Sequence, residues 1–494
     1  MPRSQNLSIN SKIKEAGRHT VIYGLGSVAQ SASGLILLPI LTGALSSDDF
    51  GAYSLILMAS GIASAIFYFG MTSALPRSYF DCKTDEDRKS VTTTAFGILL
   101  IGALLQTIIG YTYRESIAKY LLGNEKYAEA LFHGLLSAAT VFINTFLFGY
   151  LRLVKKSVAS VVFSLVALVA TVGLTLYFQS QMPGDAAAPF VAVSAANSIV
   201  AFLFFVNYGR AAFNLKIKKT EISNLMSFGI ASIVTSFGGL LIDSIDRILI
   251  HNFMGLTEVG HYSAALRVGM LINVLLIMPF NQIWSPMMLE YRHKENINKL
   301  FTKVFTVYMM LGILVIAIAT IFSWEILSIL IKTEISNEMM YVFVGTLIGM
   351  LLMSATNFFS AGLFYERKVN LLPIAYYAVV GVKFVAGLVL IPVLGLTGAL
   401  VAGLISSTLL PVAVWKLSKK FFSFDVEWHR LVRVSLLVAP TLIWVLYSSV
   451  HKTQEIHLKI TWMIIQILII YSFGLENSER WMPRKSRKED CEIK

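Results

Sequence analysis

The sequence has few charged residues and almost no cysteine. Only 14% of its 494 residues are charged, whereas a soluble globular domain carries about 25% because water must wet its surface. Hydrophobic residues make up 56% of the chain, and the mean hydropathy is +0.68. This excludes a disordered chain, and a disulfide framework is excluded because the chain has only Cys82 and Cys491. The composition therefore predicts a protein that crosses a membrane many times.

Motifs for catalysis are also missing. The sequence has no Walker loop, and its histidines lack the spacing of metal ligands. Its first 19 residues are polar, and the apolar run that follows is too long for a secretory signal. No segment between apolar runs is long enough to fold into a domain with its own core. We therefore expect neither an enzyme, a resident cofactor nor a metal site.

Apolar runs are the main positive feature of the chain. A helix needs about 20 mainly apolar residues to cross a hydrocarbon core of about 30 Å. Continuous runs of this length exclude a membrane barrel, whose strands alternate over about ten residues. The sequence predicts fourteen spans, near residues 20–43, 51–74, 92–112, 129–151, 157–178, 188–207, 224–250, 258–284, 301–322, 340–364, 370–391, 396–417, 431–449 and 457–475.

The distribution of Lys and Arg predicts the orientation of these spans. Of the 41 basic residues, 32 fall in one alternating set of connecting segments and termini, and 6 fall in the other. Because cytoplasmic loops carry the excess of positive charge, both termini are expected in the cytoplasm. The net charge of +12 is thereby explained by the membrane, so no nucleic-acid partner is expected.

A repeat divides the chain. The segment Phe50–Ser54 resembles Val259–Ser263 at an offset of 209, and residues 23–35 resemble 228–240 at an offset of 205. The matched segments lie at the start of each half of the chain, and both halves begin on the cytoplasmic side of the membrane. This predicts parallel repeats. The alternative is chance similarity between Gly- and Ser-rich helices. The predicted organisation is a cytoplasmic N-terminus (1–19), an N-lobe of six spans (20–207), a linker (208–223), a C-lobe of six spans (224–417), two added spans (431–475) and a cytoplasmic tail (476–494).

Several motifs resemble those of a known transporter family. They are Leu45–Ser54, the end of the second span at Ala74–Arg77, the segment Asp243–Ile250 with Val259–Ser263 after it, and Leu394–Ala399. Together they are similar to the oligosaccharide (O-antigen or polysaccharide, Wzx-type) flippases of the multidrug/oligosaccharidyl-lipid/polysaccharide (MOP) exporter superfamily. The resemblance covers spans one to twelve and is more specific for fold than for cargo.

This resemblance implies a fold and a function. The fold is an all-α polytopic membrane protein, with two six-helix lobes around a central cavity and two C-terminal helices. The function is flipping of an undecaprenyl-pyrophosphate-linked oligosaccharide across the bacterial cytoplasmic membrane by alternating access, with coupling to a proton or a sodium ion. The expected partners are this lipid-linked oligosaccharide and membrane lipids, with other polysaccharide assembly proteins as further candidates.

Two basic residues lie deep inside predicted spans. Arg267 and Lys383 are each about ten residues into a span, or about 15 Å from its end. An ionised residue at that depth costs about 2.5–3.5 kcal/mol and should face a cavity or a partner. We predict that both cations line a cavity that attracts a pyrophosphate group. The alternative is that each pairs with a carboxylate or a helix-end carbonyl.

Two further groups of charges are candidates. Arg18 and Arg77, at the cytoplasmic ends of the first two spans, could meet an arriving phosphate first or could simply anchor the helices at the interface. Asp243 and Arg247 are spaced to pair along one helix. Asp246 would then remain as a surplus carboxylate, for cation coupling or an outer gate. A structural ion pair is the alternative for this group.

Sugar-binding residues are harder to choose from sequence. Candidates are the aromatic residues of spans two, eight and eleven, namely Phe67, Tyr68, Phe69, Phe280, Trp284, Tyr376 and Tyr377, and the amides Asn144, Asn273, Asn281 and Gln282. Two other functions remain open. A cation-coupled multidrug antiporter would have a more acidic cavity, and a membrane-embedded glycan polymerase would carry a long external loop.

Overall fold

The computed structural model describes residues 33–214, 216–217, 219–292, 295–450, 456–469 and 472. Those residues form helices and no strand. Eleven helical segments among them are long and apolar enough to cross a membrane, and each falls on a different predicted span from the second to the twelfth. The described parts of the other three spans are also helical. The all-α membrane architecture is therefore confirmed, whereas the count of fourteen spans stays a prediction.

The helices are numbered in chain order. They are α1 (Ser33–Ala44), α2 (Ser47–Phe67), α3 (Met71–Asp81), α4 (Asp85–Thr112), α5 (Arg114–Leu122), α6 (Ala128–Leu153), α7 (Ser157–Gln181), α8 (Ala188–Ala212), α9 (Lys219–Met254), α10 (Leu256–Gly269), α11 (Met278–Glu290), α12 (Ile297–Ile321), α13 (Ser323–Leu330), α14 (Asn337–Ser354), α15 (Thr356–Phe359), α16 (Ala361–Tyr365), α17 (Leu372–Leu394), α18 (Leu396–Ser418), α19 (Trp428–Val450) and α20 (Ile456–Ile469).

Polar side chains determine where two of the membrane helices begin. The hydroxyl of Ser46 accepts a hydrogen bond from the backbone N–H of Asp49 at 3.1 Å, at the start of α2. Thr84 accepts one from the N–H of Asp87 at 3.1 Å, at the start of α4. Acidic residues fill the first turn of both helices, where the helix dipole favours negative charge. The motif Leu45–Ser54 is therefore a capped helix start.

The second membrane helix of each predicted repeat is interrupted. α2 and α3 form one segment of 35 residues, broken at Phe69 and Gly70, whose φ angles are 50° and 63°. α10 and α11 form another segment of 35 residues, broken by a π-helical turn at Asn273–Ile277. Such breaks are tolerated at membrane depth where protein or a cavity covers the freed backbone groups. Both segments are thus 35 residues long and interrupted, while the repeat itself stays a prediction.

Buried side chains form two apolar clusters, the first of which also takes in Leu225 of α9. Phe146 and Phe204 belong to a cluster built by α3, α4, α6 and α8. Val379 and Leu410 belong to a cluster built by α9, α17 and α18.

The described residues pack as two compact units. Those up to Arg292, together with Glu325–Phe422, form the first unit, and the rest form the second. In the second unit, α12 packs against α19 and α20, and the ring of Phe424 lies 5.4 Å from that of Phe301. The Thr302 hydroxyl also donates to the backbone carbonyl of Asp425 at 2.7 Å. The candidate site described next lies within the first unit.

Candidate functional site: cavities on two sides of helix α10

A cavity of about 340 Å³, here called the Arg267 cavity, lies between residues of α1, α2, α6, α7, α8 and the α10–α11 segment. Most of its seventeen lining side chains are apolar. All seventeen belong to the described residues, and Arg267 alone among them carries a charge. The described lining of the cavity therefore combines an apolar wall with a single positive group.

The guanidinium of Arg267 lies over aromatic rings. Its central carbon is 5.1 Å from the ring centre of Tyr53 and 5.7 Å from that of Phe50, both on α2. Tyr53 is itself held in place by stacking on Phe190 at 4.7 Å. Within the described chain the Arg267 side chain has no hydrogen bond or ion pair. Its five N–H donors are thus available to an anion that enters the cavity.

An asparagine side chain supplies polar surface to the same cavity. Asn197 lines the cavity and accepts from the Asn144 amide twice, at its backbone carbonyl (2.9 Å) and its side-chain oxygen (2.8 Å). The Asn197 amide donates to the carbonyl of Val193 at 2.8 Å. Asn144, a sequence candidate for sugar hydroxyls, is only 1% exposed and orients its neighbour instead. The residue that reaches the cavity, Asn197, was missed from sequence.

The aromatic candidates from sequence do not line this cavity. Tyr68 is 2% exposed and stacks on Phe142 at 4.7 Å. Phe280 stacks on Trp284 at 5.9 Å, as part of a packed cluster. Tyr53, which the sequence indicated only as part of a family motif, supplies the aromatic face instead.

A smaller cavity of about 90 Å³, the Lys383 cavity, lies on the other side of α10, with walls from α9, α14, α17 and α18. The Lys383 ammonium nitrogen is 2.6 Å from Oδ2 of Asp246 and 2.5 Å from the backbone carbonyl oxygen of Ile242. The Tyr262 hydroxyl donates to the same Oδ2 at 2.8 Å. Both charged side chains are 5% exposed. The charge of Lys383 is therefore compensated inside the protein.

The pairing predicted for the acidic cluster of α9 is wrong. Arg247 donates to the backbone carbonyl of Asp243 at 3.1 Å, and no ion pair joins these two side chains in the described chain. Asp246, predicted to be the surplus carboxylate, pairs with Lys383 instead. The i,i+4 spacing lets an arginine reach the carbonyl of the preceding turn as readily as the carboxylate. Asp243 is the carboxylate that stays without an ion pair, on the wall of the Lys383 cavity.

This contact also corrects the depth of the cluster. By residue count, Asp246 lies near one end of the predicted span 224–250, whereas Lys383 lies near the middle of the predicted span 370–391. Since their charged groups touch, the two residues lie at the same level. Lys383 therefore faces a partner, the alternative that the sequence had left open, and its ammonium is not free for a cargo phosphate.

A third cavity of about 770 Å³ contains Arg77 and lies between α3, α4 and α9. The Arg77 side chain is exposed, and its guanidinium carbon lies 4.6 Å from the ring centre of Phe228. The other charged lining residues are Asp81, Lys83, Asp87 and Glu221. Three acidic and two basic groups make this lining mixed rather than positive. Arg18, the companion of Arg77 in the sequence prediction, lies outside the described residues.

Repeat-related glycines bring the two repeats into backbone contact. A Cβ atom at Gly51 of α2 would overlap the backbone of α10, and one at Gly260 of α10 would overlap the backbone of α2. Asp48 and Thr257, which also differ by the repeat offset of 209, are hydrogen-bonded to each other beside this contact. We name it the Gly51 crossing. It pairs equivalent positions of the two repeats.

A second close contact, the Gly70 crossing, joins α3 and α9. A Cβ atom at Gly70 would overlap the carbonyl of Gly229, and Gly70 also needs a left-handed φ of 63°. The nineteen residue steps from Gly51 to Gly70 span about 28 Å at about 1.5 Å each. A hydrocarbon core is about 30 Å thick. The two repeats therefore meet at two levels separated by most of a membrane.

Several solved structures share this architecture. The lipid II flippase MurJ in an inward-closed conformation aligns with a TM-score of 0.69 at 13% identity, over 91% of this chain and 96% of that one. An inward-facing MATE multidrug resistance transporter of the MOP superfamily aligns with a TM-score of 0.59 at 16% identity, over 84% and 95%. A MATE protein in complex with MaL6 aligns with a TM-score of 0.61 at 14% identity, over 82% and 95%. The chain thus has the MOP fold.

Sequence comparison gives a narrower assignment. No curated protein matches the chain. A family model described as polysaccharide biosynthesis protein matches residues 16–292, more than half of the sequence. The match covers Arg77, Asp246 and Arg267, so it spans the N-terminal repeat and the start of the second. On this evidence, the chain belongs to the family of polysaccharide biosynthesis proteins.

Proposed function

We propose that this protein flips an undecaprenyl-pyrophosphate-linked oligosaccharide across the bacterial cytoplasmic membrane by alternating access. The cargo is a repeat unit of O-antigen, capsule or exopolysaccharide. The observation that carries the proposal is the free guanidinium of Arg267 in a cavity whose other described lining residues are uncharged. The family assignment and the fold shared with a lipid II flippase support the same class of cargo.

Arg267 suits a pyrophosphate for electrostatic reasons. An ionised group in the membrane interior is costly unless a partner or water satisfies it. The guanidinium can donate two parallel hydrogen bonds to a phosphate, and the rings of Tyr53 and Phe50 hold its plane without consuming those donors. Asn197 lines the same cavity, and its amide oxygen and nitrogen each keep one further hydrogen-bonding position for the first sugar.

The volume of the cavity fits a transport cycle rather than a fixed binding site. About 340 Å³ is at the lower end of ligand pockets, which hold about 300–1,000 Å³. An oligosaccharide is larger than such a cavity, so the repeats must separate to admit it. Parting of the Gly51 crossing or of the Gly70 crossing would open the cavity to one side of the membrane at a time.

The orientation follows from the Lys and Arg distribution. With both termini in the cytoplasm, the cavity around Arg77 opens to the cytoplasm, where the lipid-linked sugar is made. Arg77, and Arg18 before it, would then meet the phosphate before it reaches Arg267. Asp243, Asp246 and Arg247 would serve coupling or gating on the other side of α10.

Transport by Arg267 variants tests the proposal. Translocation of a radiolabelled lipid-linked glycan is measured in proteoliposomes for Arg267→Ala and Arg267→Lys. We expect at least a tenfold loss for Arg267→Ala, and an intermediate rate for Arg267→Lys because lysine keeps the charge but loses the planar fork. Arg210→Ala, which removes an exposed guanidinium from α8, is the matched control and should retain full activity. Unchanged transport in both Arg267 variants would remove this residue from the head-group site.

A multidrug antiporter is the second candidate, because MATE transporters share the fold. The sign of the cavity charge opposes it, since Arg267 would repel a cationic drug. Energised vesicles that expel ethidium at the same rate with and without Arg267→Ala, and that move no lipid-linked glycan, would favour this second function.

A further inference from the structure

The Lys383 ammonium is bound in the way that a small monovalent cation would be. Its nearest atoms are two oxygens, one from the Asp246 carboxylate and one from the carbonyl of Ile242, at 2.6 and 2.5 Å. Both oxygens belong to the same turn of α9. The Ile242 carbonyl lies within a helix, and its second lone pair remains free for this contact. α9 therefore presents a preformed pair of oxygen ligands at membrane depth.

A third oxygen atom, from the same Asp246 carboxylate, lies close to these two. Oδ1 of Asp246 is buried and has no hydrogen-bond partner, although the residue is only 3% exposed. A buried acceptor without a partner is costly, and it usually indicates a ligand or a water molecule. The adjoining Lys383 cavity, at about 90 Å³, has room for a few waters at about 30 Å³ each. The site therefore has the ligands and the space for a hydrated ion.

We propose that Asp246 and the carbonyl of Ile242 form a monovalent-cation site, which this chain fills with its own ammonium from Lys383. While Lys383 is in place, no external cation binds there. If the ammonium is removed, the same oxygens bind a sodium ion. The role of this site in transport rests on the proposed function, since a permanently filled site implies flipping that needs no sodium.

The charges around the site favour replacement of the Lys383 ammonium by a sodium ion. The titratable and charged groups that face Asp246 or line its surroundings are Asp243 and Arg247 from α9, Tyr262 and Arg267 from α10, and Lys383 and Tyr376 from α17. The lining residues from α14 and α18 are uncharged. Without Lys383, the Asp246 carboxylate is left buried and loses its closest positive partner. Uptake of one sodium ion restores the local charge.

Sodium-dependent stability of the purified full-length chain tests the proposal. Thermal unfolding is compared in sodium chloride and in N-methylglucamine chloride at equal ionic strength, for the native chain, Lys383→Ala and Lys383→Met. We expect the native Tm to be the same in both salts. For both variants, sodium at about ten times its dissociation constant should raise Tm by about 2 °C or more. The double variant Lys383→Ala/Asp246→Asn, which removes both charges, should lose this response.

Several outcomes would overturn the proposal. One is an equal sodium effect in the native chain or in the double variant, since the ion would then bind elsewhere. Another is a Lys383→Ala protein that is stabilised by acid but not by sodium, because the site would then take a proton. A third is failure of both single variants to fold in sodium, because the ion could not replace the ammonium. None of these measurements depends on glycan transport. The cation-site proposal can therefore fail while the Arg267 proposal holds, and the reverse.

Discussion

Gly51 and Gly260 occupy equivalent positions in the two repeats and lie against each other, each leaving no room for a Cβ atom. The segments that contain them, Phe50–Ser54 and Val259–Ser263, are the pair that the sequence identified as a repeat. A close helix crossing of this kind needs small residues, because backbone approaches backbone. The similarity between the two segments is thus partly explained by this contact, which needs a glycine at the same position of each segment.

Replacement of Gly260 by alanine should separate the two repeats. The added Cβ would overlap the carbonyl of Ser47, which is backbone and cannot rotate away. We expect a loss of about 1–3 kcal/mol in the free energy of unfolding, which is usual for overpacking. The measurement is thermal unfolding in detergent. Gly61→Ala, in α2 with no atom near its Cβ position, is the control and should be neutral or slightly stabilising. Equal stability of the two variants would mean that the crossing tolerates a wider separation.

The buried pair of Lys383 and Asp246 should behave as a unit in a double-mutant cycle. In a buffer without sodium, Lys383→Met and Asp246→Asn should each cost about 3–5 kcal/mol, because each leaves one buried charge without its partner. The double variant should recover most of that loss. Additive losses would indicate that the two charges are compensated by other groups, contrary to the 2.6 Å contact.

The ring of Tyr53 should contribute to binding of the head group. Tyr53→Leu removes the face over which the Arg267 guanidinium lies, an interaction of about 0.5–2 kcal/mol. We expect the affinity for a lipid pyrophosphate in nanodiscs to fall by about 2- to 30-fold. Tyr53→Phe keeps the ring and is the matched control, so its affinity should stay near that of the native chain. A loss that is equal in both variants would assign the effect to the hydroxyl group.

Loss of the Asn144 amide should destabilise the cavity wall. Asn144→Ala removes two hydrogen bonds to Asn197, both buried, and we expect a cost of about 1–3 kcal/mol in thermal unfolding. Asn207→Ala is the control, because its amide donates to a carbonyl at an exposed position of α8. It should stay within about 0.5 kcal/mol of the native chain. A cost as small as that of the control would show that water replaces the Asn144 amide.

The sequence predicted the helical elements better than the contacts between them. Eleven apolar runs are long enough to define membrane helices on their own, and the structure has a helix at each. The broken helices were not predicted, because the residues at Phe69 and Asn273–Ile277 look like any other part of an apolar run. Depth along a span can be counted, and this is why Arg267 stood out.

The side of each helix that lines a cavity could not be predicted in the same way. A membrane helix is apolar on all sides, so its hydrophobic pattern does not indicate which side faces a cavity. For this reason aromatic candidates such as Tyr68 and Trp284 fell on packed surfaces, and Tyr53 was missed as a cavity residue. The partner of Lys383 was missed for a related reason, since Asp246 is 137 residues away and no local spacing connects them.

Met270, at the end of α10, lines both the Arg267 cavity and the Lys383 cavity. One side chain is therefore a shared wall of two chambers, and a displacement that widens one narrows the other. A head group that pushes this wall would do mechanical work on the buried ion pair behind it, and a change in that pair would act back on the head group with equal strength. Through Met270, the end of α10 would couple the two cavities directly, with no other residue between them.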